Sequence, residues 1–347
     1  MDVPDTLRFV LPPGSEGISG GNLYNAALIA ALRGVARVDT LGIEALPAAI
    51  DHGEPGLYFI DTLCLPEAAG VLGRRRRGQS FVLVVHHLPS LEPELAPNDA
   101  RLERERALLP RFDLFLSTSA FTTELLAARG IARARVLTVP PAPPRVASRR
   151  RDYRPPLVAL LVGNLIPRKA LHPFLRALDE RLPAELELRL DVLGRLDLDP
   201  EYARACLDCV RTSVALARTV RLRGPVEPHA MDAAYAAAHL FVSASRMETF
   251  GMAVQEARAH GLPILAVRAG YVQHHFVEGE TGLAFESVSA LADALVELAR
   301  DPRRMGAFFA RAQERRSQLD TTWSGAATSL LAQLATARAA GGLDFAR

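Results

Sequence analysis

Short runs of apolar residues recur along the chain, and each is followed by a stretch with helical spacing of apolar and polar positions. Runs of about four to eight apolar residues that alternate with helices are typical of parallel strands buried on both faces. A first series of strands is predicted at Leu7–Leu11, Val35–Leu41, Leu57–Ile60, Phe81–Val85, Leu114–Ser117 and Val136–Val139. A second series is predicted at Leu157–Val162, Leu186–Leu193, Val220–Leu222, Leu240–Val242, Ile264–Val267 and Leu283–Phe285.

Two such series predict an α/β protein with two doubly wound, Rossmann-like domains. The stretch from Pro140 to Pro156 is rich in proline and arginine and is typical of a stiff, exposed linker. We place the domains at 1–145 and 146–318, followed by a C-terminal helix at 319–347. Ligands of open parallel sheets bind beyond the carboxyl ends of the strands, so two facing sheets would form a binding cleft.

Composition narrows the classes of function. The 347 residues are 49% hydrophobic, which is typical of a globular protein, and the net charge of +2 disfavours a broad nucleic-acid surface. No apolar run reaches the about 20 residues that span a bilayer, and no signal-peptide pattern opens the chain. Cys64, Cys206 and Cys209 are too few for a disulfide framework, so we expect a cytoplasmic protein.

The basic residues are unusual, because Lys169 is the one lysine among 41 basic side chains. It lies in the segment Gly163–Lys169, directly after a predicted strand. An ammonium is a compact, strongly hydrated point charge that suits a phosphate, whereas arginine offers a planar fork. The segment therefore predicts a phosphate contact; the alternative is compositional drift that left one lysine by chance.

A second segment with candidate chemistry is Ala244–Ile264, which follows another predicted strand. Its Thr249-Phe250-Gly251 predicts a turn into a helix over Met252–His260. The first N–H groups of that helix, together with its dipole, would favour an anion at the turn.

Two glutamates flank the start of this helix, Glu248 before the turn and Glu256 within the helix. The alternative for Glu256 is a solvated helix face. Its apolar neighbours Ala253, Val254 and Ala257 instead predict a half-buried carboxylate, which needs partners such as sugar hydroxyls.

The spacing of the two glutamates resembles the E-x7-E signature of the retaining GT-B glycosyltransferases of family four. The resemblance covers most of the chain and includes Gly20-Gly21, Gly163–Lys169, Leu193-Gly194, Val220–Val226 and Val277–Leu283. It implies a GT-B fold in which the C-terminal helix at 319–347 crosses back to the first domain. It also implies transfer of a sugar, with retention at the anomeric carbon, from a nucleotide diphosphate sugar, for which UDP- and GDP-sugars are the expected donors. It implies no cofactor and no metal, and as acceptor a hydroxyl of a glycan, a lipid or a small molecule.

The resemblance also implies a diphosphate site. Lys169, helped by Arg168, would be the cation on the diphosphate. The chain departs from the family in two places: Asn164 stands where an arginine is common, and His274-His275 stands where the family usually has a glutamate. The first departure leaves open how many cations meet the phosphates, and the second leaves open the contacts around the sugar.

For the rest of the donor, the resemblance implies that Glu256 binds the ribose hydroxyls and that Glu248 faces the sugar. The backbone N–H groups of Phe250 and Gly251 would lie beside that sugar. Backbone groups near Gly224–Val226 are candidates for contact with the base, which the sequence does not identify.

The glycine pair Gly20-Gly21 lies between the first predicted strand and a predicted helix over Leu23–Leu32, for which Asn22 is the expected cap. In the family this loop approaches the donor phosphates and sugar; the alternative is a plain strand-to-helix turn. It is not the dinucleotide-binding pattern, which needs G-x-G-x-x-G.

The pair His86-His87 directly follows the predicted strand Phe81–Val85. The resemblance implies that one of the two contacts the donor sugar; the sequence does not decide which, and we favour His86. In the front-face mechanism associated with the family the leaving phosphate takes the acceptor proton, so we name no general base.

Three further patterns are weaker. Arg74–Arg77 predicts a solvated loop, and its functional interpretation is peripheral contact with anionic lipid at the inner face of the membrane. Asp197 and Asp199 form a D-x-D pattern, but in a loop that leads into a helix, so metal binding is disfavoured. Cys206 and Cys209 have the spacing of packing residues on a helix and lack further zinc ligands.

Two other functions compete with sugar transfer, the first on the same architecture and the second from another class of function. A nucleotide-sugar 2-epimerase would need acid–base residues beside C2 of the sugar, and the sequence has no distinctive set. A non-catalytic nucleotide-sugar-binding protein is disfavoured by the intact glutamate pair. The expected partners are therefore a nucleotide-sugar donor and an acceptor, without nucleic acid.

Overall fold

The computed structural model describes residues 6–14, 19–92, 95–146, 151–316 and 321–340. The chain divides into two units: a first unit of Met1–Ala142 with Thr321–Arg347, and a second unit of Pro143–Asp320. Each contains one six-stranded sheet in which all neighbouring strands are parallel, so the predicted α/β class with two doubly wound sheets is confirmed. The linker residues Arg149 and Arg150, and the ends of the predicted C-terminal segment, lie outside the described residues.

The first unit is built around the sheet β2-β1-β3-β4-β5-β6. Its strands are β1 (Leu7–Leu11), β2 (Val38–Gly42), β3 (Gly56–Asp61), β4 (Gln79–Val85), β5 (Leu114–Ser117) and β6 (Val136–Thr138). Its helices are α1 (Gly20–Leu32), α2 (Leu46–Asp51), α3 (Leu65–Ala68), α4 (Ala100–Leu108) and α5 (Ala120–Ala128). Short 3-10 turns occupy Ile43–Ala45, Thr62–Cys64, Leu72–Arg74, Pro89–Leu91, Leu109–Arg111 and Arg133–Arg135.

The central strands of this sheet explain why its sequence runs are so apolar. Every residue of β3 and of β4 is buried, because helices cover both faces of a parallel sheet. Phe9 of β1 stacks on Phe59 of β3 with ring centroids 4.6 Å apart. The core of the first unit therefore lies on both sides of β1, β3 and β4.

The second unit is built around the sheet β12-β11-β10-β7-β8-β9. Its strands are β7 (Leu157–Val162), β8 (Leu188–Leu193), β9 (Val220–Leu222), β10 (Leu240–Ser243), β11 (Ile264–Val267) and β12 (Gly282–Phe285). Its helices are α6 (Leu171–Asp179), α7 (Pro200–Thr212), α8 (Val214–Thr219), α9 (Pro228–Ala237), α10 (Met252–Ala259), α11 (Val288–Arg300) and α12 (Pro302–Arg315), and 3-10 turns occupy Pro167–Lys169 and Val272–His275.

The strand order of the second unit reverses between β7 and β10. Successive strands run outward from β7 to β8 and β9 on one side, and from β10 to β11 and β12 on the other. In sheets of this type the crevice at the reversal, beyond the carboxyl ends of the strands, is where ligands bind. Both segments with candidate chemistry follow these two strands.

The last helix, α13 (Trp323–Ala339), belongs to the first unit. The Trp323 ring packs edge-on against Tyr24 of α1, with centroids 5.6 Å apart. The Gln333 amide accepts a hydrogen bond from Thr138 N at 2.8 Å and donates to Thr138 O at 3.1 Å. An amide side chain thus satisfies the backbone of the edge strand β6, and α13 covers an edge that would otherwise be open to pairing.

The sequence misplaced several element ends. Strand β2 begins at Val38 rather than at Val35, and β8 begins at Leu188 rather than at Leu186. Among the described helices, none is both long and apolar enough to cross a membrane.

Candidate functional site

The segment after β7 is shaped by close contact between Gly163 and Lys169. The 3-10 turn Pro167–Lys169 brings the lysine back over the end of the strand. A Cβ atom added at Gly163 would lie 3.4 Å from Lys169 Cδ, so the aliphatic stem lies along the glycine backbone. This contact fixes where the ammonium group emerges.

Glycines also end the two neighbouring strands. Gly163 N donates to Leu193 O at 2.8 Å, and Gly194 N donates to Gly224 O at 3.0 Å. A Cβ atom at Gly194 would lie only 2.0 Å from Gly163 O, so no side chain fits there. The ends of β7, β8 and β9 therefore form a shallow floor of backbone.

Two predicted residues lie around this floor. The Asn164 side chain accepts a hydrogen bond from Arg195 N at 3.2 Å and therefore fixes the loop after β8. Val226 follows Gly224 after β9 and packs, partly buried, against the core. The structure thus places both beside the ends of neighbouring strands, in the part of the sheet where the base contact is predicted.

Arg168, Lys169 and Glu248 form one ion cluster at the strand reversal. The Lys169 Nζ donates to Glu248 Oε1, and Arg168 Nη1 lies 3.7 Å from Glu248 Oε2. The backbones are tied as well, because Arg246 N donates to Arg168 O at 2.9 Å and the Arg168 guanidinium donates to Met247 O at 2.7 Å. The segments after β7 and β10, which were predicted separately, are thereby joined.

The charges of this cluster are strongly coupled. Burial alone would raise the pKa of Glu248, but Lys169, Arg168 and a hydrogen bond from Ser245 outweigh it and lower the pKa to about 2. Burial, reinforced by Arg168, lowers the pKa of Lys169, while Glu248 opposes this. With its pKa near 2, Glu248 is ionised at neutral pH, and it lies against two basic side chains.

The turn Thr249-Phe250-Gly251 leads directly into α10. Gly251 is the residue before the helix and has a φ of 90°, a left-handed conformation that suits glycine. The first hydrogen bonds of the helix run from Val254 N and Gln255 N to Gly251 O. The N–H groups of the residues before Val254 are therefore not used by the hydrogen-bonding pattern of the helix. This geometry gives the start of α10 the partial positive charge predicted from the sequence.

A second loop, between β11 and β12, supports this turn. Tyr271 N donates to Glu248 O at 2.9 Å, and His275 Nε2 donates to Phe250 O at 2.7 Å. The rings of Phe250 and Tyr271 stack with centroids 5.4 Å apart. The pair His274-His275, noted in the sequence only as a departure from the family pattern, therefore includes a residue bonded to the turn.

Glu256 lies on α10 and is half-buried, as the sequence predicted. Its Oε2 lies 2.8 Å from the hydroxyl of Tyr235, a fully buried residue of α9. Burial raises the pKa of Glu256, although the hydrogen bond from Tyr235 opposes that effect and Asp232 adds to it. The Tyr235 contact fixes one oxygen of the carboxylate.

In the first unit, Gly20 and Gly21 lie in the first turn of α1, not in a loop before it. Asn22 as the cap is wrong, because Ser19 Oγ accepts from Asn22 N at 3.2 Å and Ser19 has the extended backbone that a cap requires. A Cβ atom at Gly21 would lie 3.0 Å from His86 Cδ2. The glycine therefore allows the imidazole after β4 to approach the helix backbone.

His86 belongs to a buried polar network. Its Nε2 donates to Asn25 Oδ1 at 2.9 Å and lies 3.4 Å from Asp61 Oδ2, while the Asn25 amide donates to Asp61 Oδ2 at 2.7 Å. Burial lowers the pKa of His86, with Asp61 opposing. His87, by contrast, points its Nε2 to within 3.4 Å of Glu92.

The weaker patterns have structural explanations. Arg74–Arg77 is exposed, with Arg74 paired to Asp51 at 2.8 Å and Arg75 to Asp113 at 2.6 Å; lipid contact there stays a prediction.

Asp199 caps α7, and Asp197 pairs with Arg195. Cys206 is buried on α7 and Cys209 is half-buried on the same helix. In the described ranges, no group of three or more metal-ligating side chains comes together.

Sequence reasoning missed Asn25, Asp61, Tyr235 and the bond made by His275. Asp61 carried a signal, since it ends the buried strand β3 on the side where ligands of such sheets bind. The other three lie within helices or a loop, where the sequence gives no sign of the partner across the fold.

The comparisons with known proteins agree with this architecture. Residues 156–301 match the family model described as glycosyl transferases group 1, and residues 6–142 match a glycosyl transferase 4-like domain. A D-inositol 3-phosphate glycosyltransferase from Catenulispora acidiphila is 30% identical over 290 residues, covering 76% of this chain and 68% of that protein. One from Streptomyces avermitilis is 30% identical over 314 residues, covering 79% and 68%.

Two solved structures are similar in fold. Sucrose-phosphate synthase from Thermosynechococcus elongatus has a TM-score of 0.75 at 20% identity, covering 97% of this chain and 100% of that one. Anabaena HepE, in complex with UDP and glucose, has a TM-score of 0.72 at 17% identity, covering 96% and 99%. At these identities the likeness concerns the fold, and it confirms the predicted GT-B architecture.

Proposed function

The chain belongs to the group 1 glycosyl transferases, and we propose that it moves a sugar from a nucleoside diphosphate sugar to an acceptor hydroxyl with retention at the anomeric carbon. Membership of the family makes it a glycosyltransferase that binds a nucleotide sugar. A UDP-sugar is the first donor to consider, because the similar HepE structures contain UDP, glucose or UDP-glucose. A GDP-sugar is the alternative.

One observation carries the proposal: the cations Lys169 and Arg168 are gathered on Glu248 at the strand reversal, on the segment that leads into α10. Departure of a nucleoside diphosphate builds negative charge on its phosphates. Cations and N–H groups already fixed in place stabilise such charge without reorganising during the reaction. Lys169 and Arg168 would therefore meet the diphosphate, and Glu248 would face the sugar.

Glu256 would bind the ribose hydroxyls. A carboxylate accepts several hydrogen bonds, so the bond from Tyr235 leaves capacity for a ribose hydroxyl on the same group. The backbone around Gly224 and Val226, at the end of β9, would lie near the base. We further propose that His86, whose imidazole is already held by Asn25, contacts the donor sugar.

For the acceptor, the two relatives at 30% identity are named for D-inositol 3-phosphate. We therefore propose a small hydroxylated acceptor and take D-inositol 3-phosphate as the first compound to test. We also propose that no cofactor or metal takes part, with the leaving diphosphate accepting the proton of the acceptor hydroxyl.

The test has two stages. Calorimetric titration with UDP, GDP and ADP should give one clear binder, and Glu256→Gln should weaken that binding by about tenfold, the loss of one charged hydrogen bond. The corresponding nucleotide sugar should then release nucleoside diphosphate only when an acceptor is present, and the anomeric proton coupling of the product should match that of the donor. Binding of none of the three diphosphates would refute the donor class, and an inverted product would refute retention.

A further inference from the structure

The backbone that leads into α10 accepts hydrogen bonds from the segment Ala269–His275, here called the clamp segment. Its Tyr271 N–H donates to Glu248 O at 2.9 Å, and its His275 Nε2–H donates to Phe250 O at 2.7 Å. The carbonyl groups of Glu248 and Phe250, two residues apart, are therefore both hydrogen-bonded by the clamp segment.

These two bonds determine where the turn's own N–H groups point. In a trans peptide the carbonyl and the following N–H point in opposite directions. Because Phe250 O points at His275, the N–H of Gly251 points away from the clamp segment. Glu248 O points at Tyr271 N in the same way, so the N–H of Thr249 also points away from it.

The His275 side chain is built into this arrangement. It is buried, and its ring packs edge-on against Phe250 at 4.8 Å and against Tyr271 at 5.5 Å. Burial lowers the pKa of His275 to about 4, although its bond to Phe250 O opposes that effect. The imidazole is therefore neutral at pH 7, and the buried carbonyl has a donor that water would not readily replace.

Gly270 allows the clamp segment to come this close. A Cβ atom at Gly270 would lie 2.2 Å from Glu248 O, and its φ of 59° is left-handed. His275 also lines a cavity of about 90 Å³, together with residues that include Arg258 and His274. Without the hydrogen bond, a side chain at position 275 would have space to move away from the turn.

We propose that His275 is a positioning residue for the reaction: by holding Phe250 O, it directs the Gly251 N–H group toward the diphosphate of the donor. The proposal rests on the proposed function, since it assumes that a diphosphate occupies the start of α10. A helix start binds an anion well only when its N–H groups converge on one point. His275 would thus act on donor binding without touching the donor.

The test compares variants that differ in one donor group. His275→Leu removes the N–H donor, His275→Gln keeps an N–H donor at a similar reach, and His275→Asn keeps a donor on a shorter side chain. His274→Gln, at the exposed neighbouring position, is the matched control. Affinity for UDP, GDP and ADP is measured by calorimetry well below the unfolding temperature of each variant.

We expect His275→Leu and His275→Asn to lose about tenfold in affinity for the diphosphate that binds, with His275→Gln and His274→Gln within about threefold of the wild type. Should the leucine variant fail to fold, the comparison of Gln with Asn carries the test. Equal affinity of the Asn variant and the wild type would overturn the inference and leave the proposed function standing. A Gln variant as weak as the Asn variant would also overturn it, whereas a wild type that binds none of the three would refute the proposed function instead.

Discussion

Replacing Lys169 with methionine separates the two tasks of this side chain. Methionine keeps an unbranched stem that can lie along Gly163 but removes the ammonium. Glu248 then keeps Arg168, 3.7 Å away, and Ser245 as partners. A buried carboxylate that loses its closest countercharge destabilises the fold, so we expect Lys169→Met to lower both stability and diphosphate affinity.

The size of the stability change follows from the pKa of the Glu248 carboxyl group. Its pKa falls from 4.5 to about 2 in the folded protein, which corresponds to about 3 kcal/mol in favour of the ionised form. Lys169 is the largest favourable contributor, so we expect Lys169→Met to cost about 2 kcal/mol of unfolding free energy at pH 7. Because the folded pKa lies below the unfolded one, this contribution is complete above pH 4.5 and is lost as the pH falls toward 2.

The assay is urea unfolding followed by circular dichroism at pH 7.5 and at several values down to pH 3. The double variant Lys169→Met/Glu248→Gln has no carboxylate left in this cluster, so its free energy of unfolding should be about 1 kcal/mol or more above that of Lys169→Met alone. The difference in free energy of unfolding between the wild type and Lys169→Met should decrease as the pH falls below 4.5. If Lys169→Met is as stable as the wild type at pH 7.5, or if the double variant is the least stable of the set, Lys169 does not stabilise the ionised form of Glu248.

Three other predictions test separate parts of the structure. Tyr235→Phe should reduce nucleotide affinity about fivefold by releasing Glu256, as calorimetry would show; unchanged affinity would contradict this. Gly194→Ala should destabilise by about 2 kcal/mol in urea unfolding, since its Cβ would lie 2.0 Å from a backbone carbonyl, whereas Gly70→Ala, with no atom within 4 Å, should change little. Serine at all of Arg74–Arg77 should reduce sedimentation with anionic vesicles, and equal sedimentation would leave those arginines as a solvated loop.

The sequence predicted the sheets well because parallel strands buried on both faces leave an unmistakable apolar run. It was weaker at element ends: α1 begins at Gly20 because Ser19 supplies the cap, even though two glycines in the first turn are poor helix formers. A single capping side chain can outweigh the low helix propensity of glycine at a helix terminus. The pattern of apolar positions along the chain does not reveal such a cap.

The residues after β7 and β10 could be predicted because a strand end in a parallel sheet marks one edge of the structure. Their partners could not. Lys169 meets Glu248 across 79 positions, Glu256 meets Tyr235 across 21, and His275 meets Phe250 across 25. Such contacts depend on how the strands are ordered in the sheet, which the sequence pattern alone does not fix.

The pairing of Lys169 with Glu248 also bears on why a single lysine survives in an arginine-rich chain. An ammonium fits beside Gly163 and can exchange one oxygen partner for another, because it is a point charge with rotatable donors. A guanidinium is broader, and its planar fork favours bidentate pairing with a carboxylate. If the diphosphate binds where we propose, Lys169 must turn from Glu248 to a phosphate when the donor enters. The carboxylate would then keep the cation in place between turnovers, and lysine suits that exchange better than arginine.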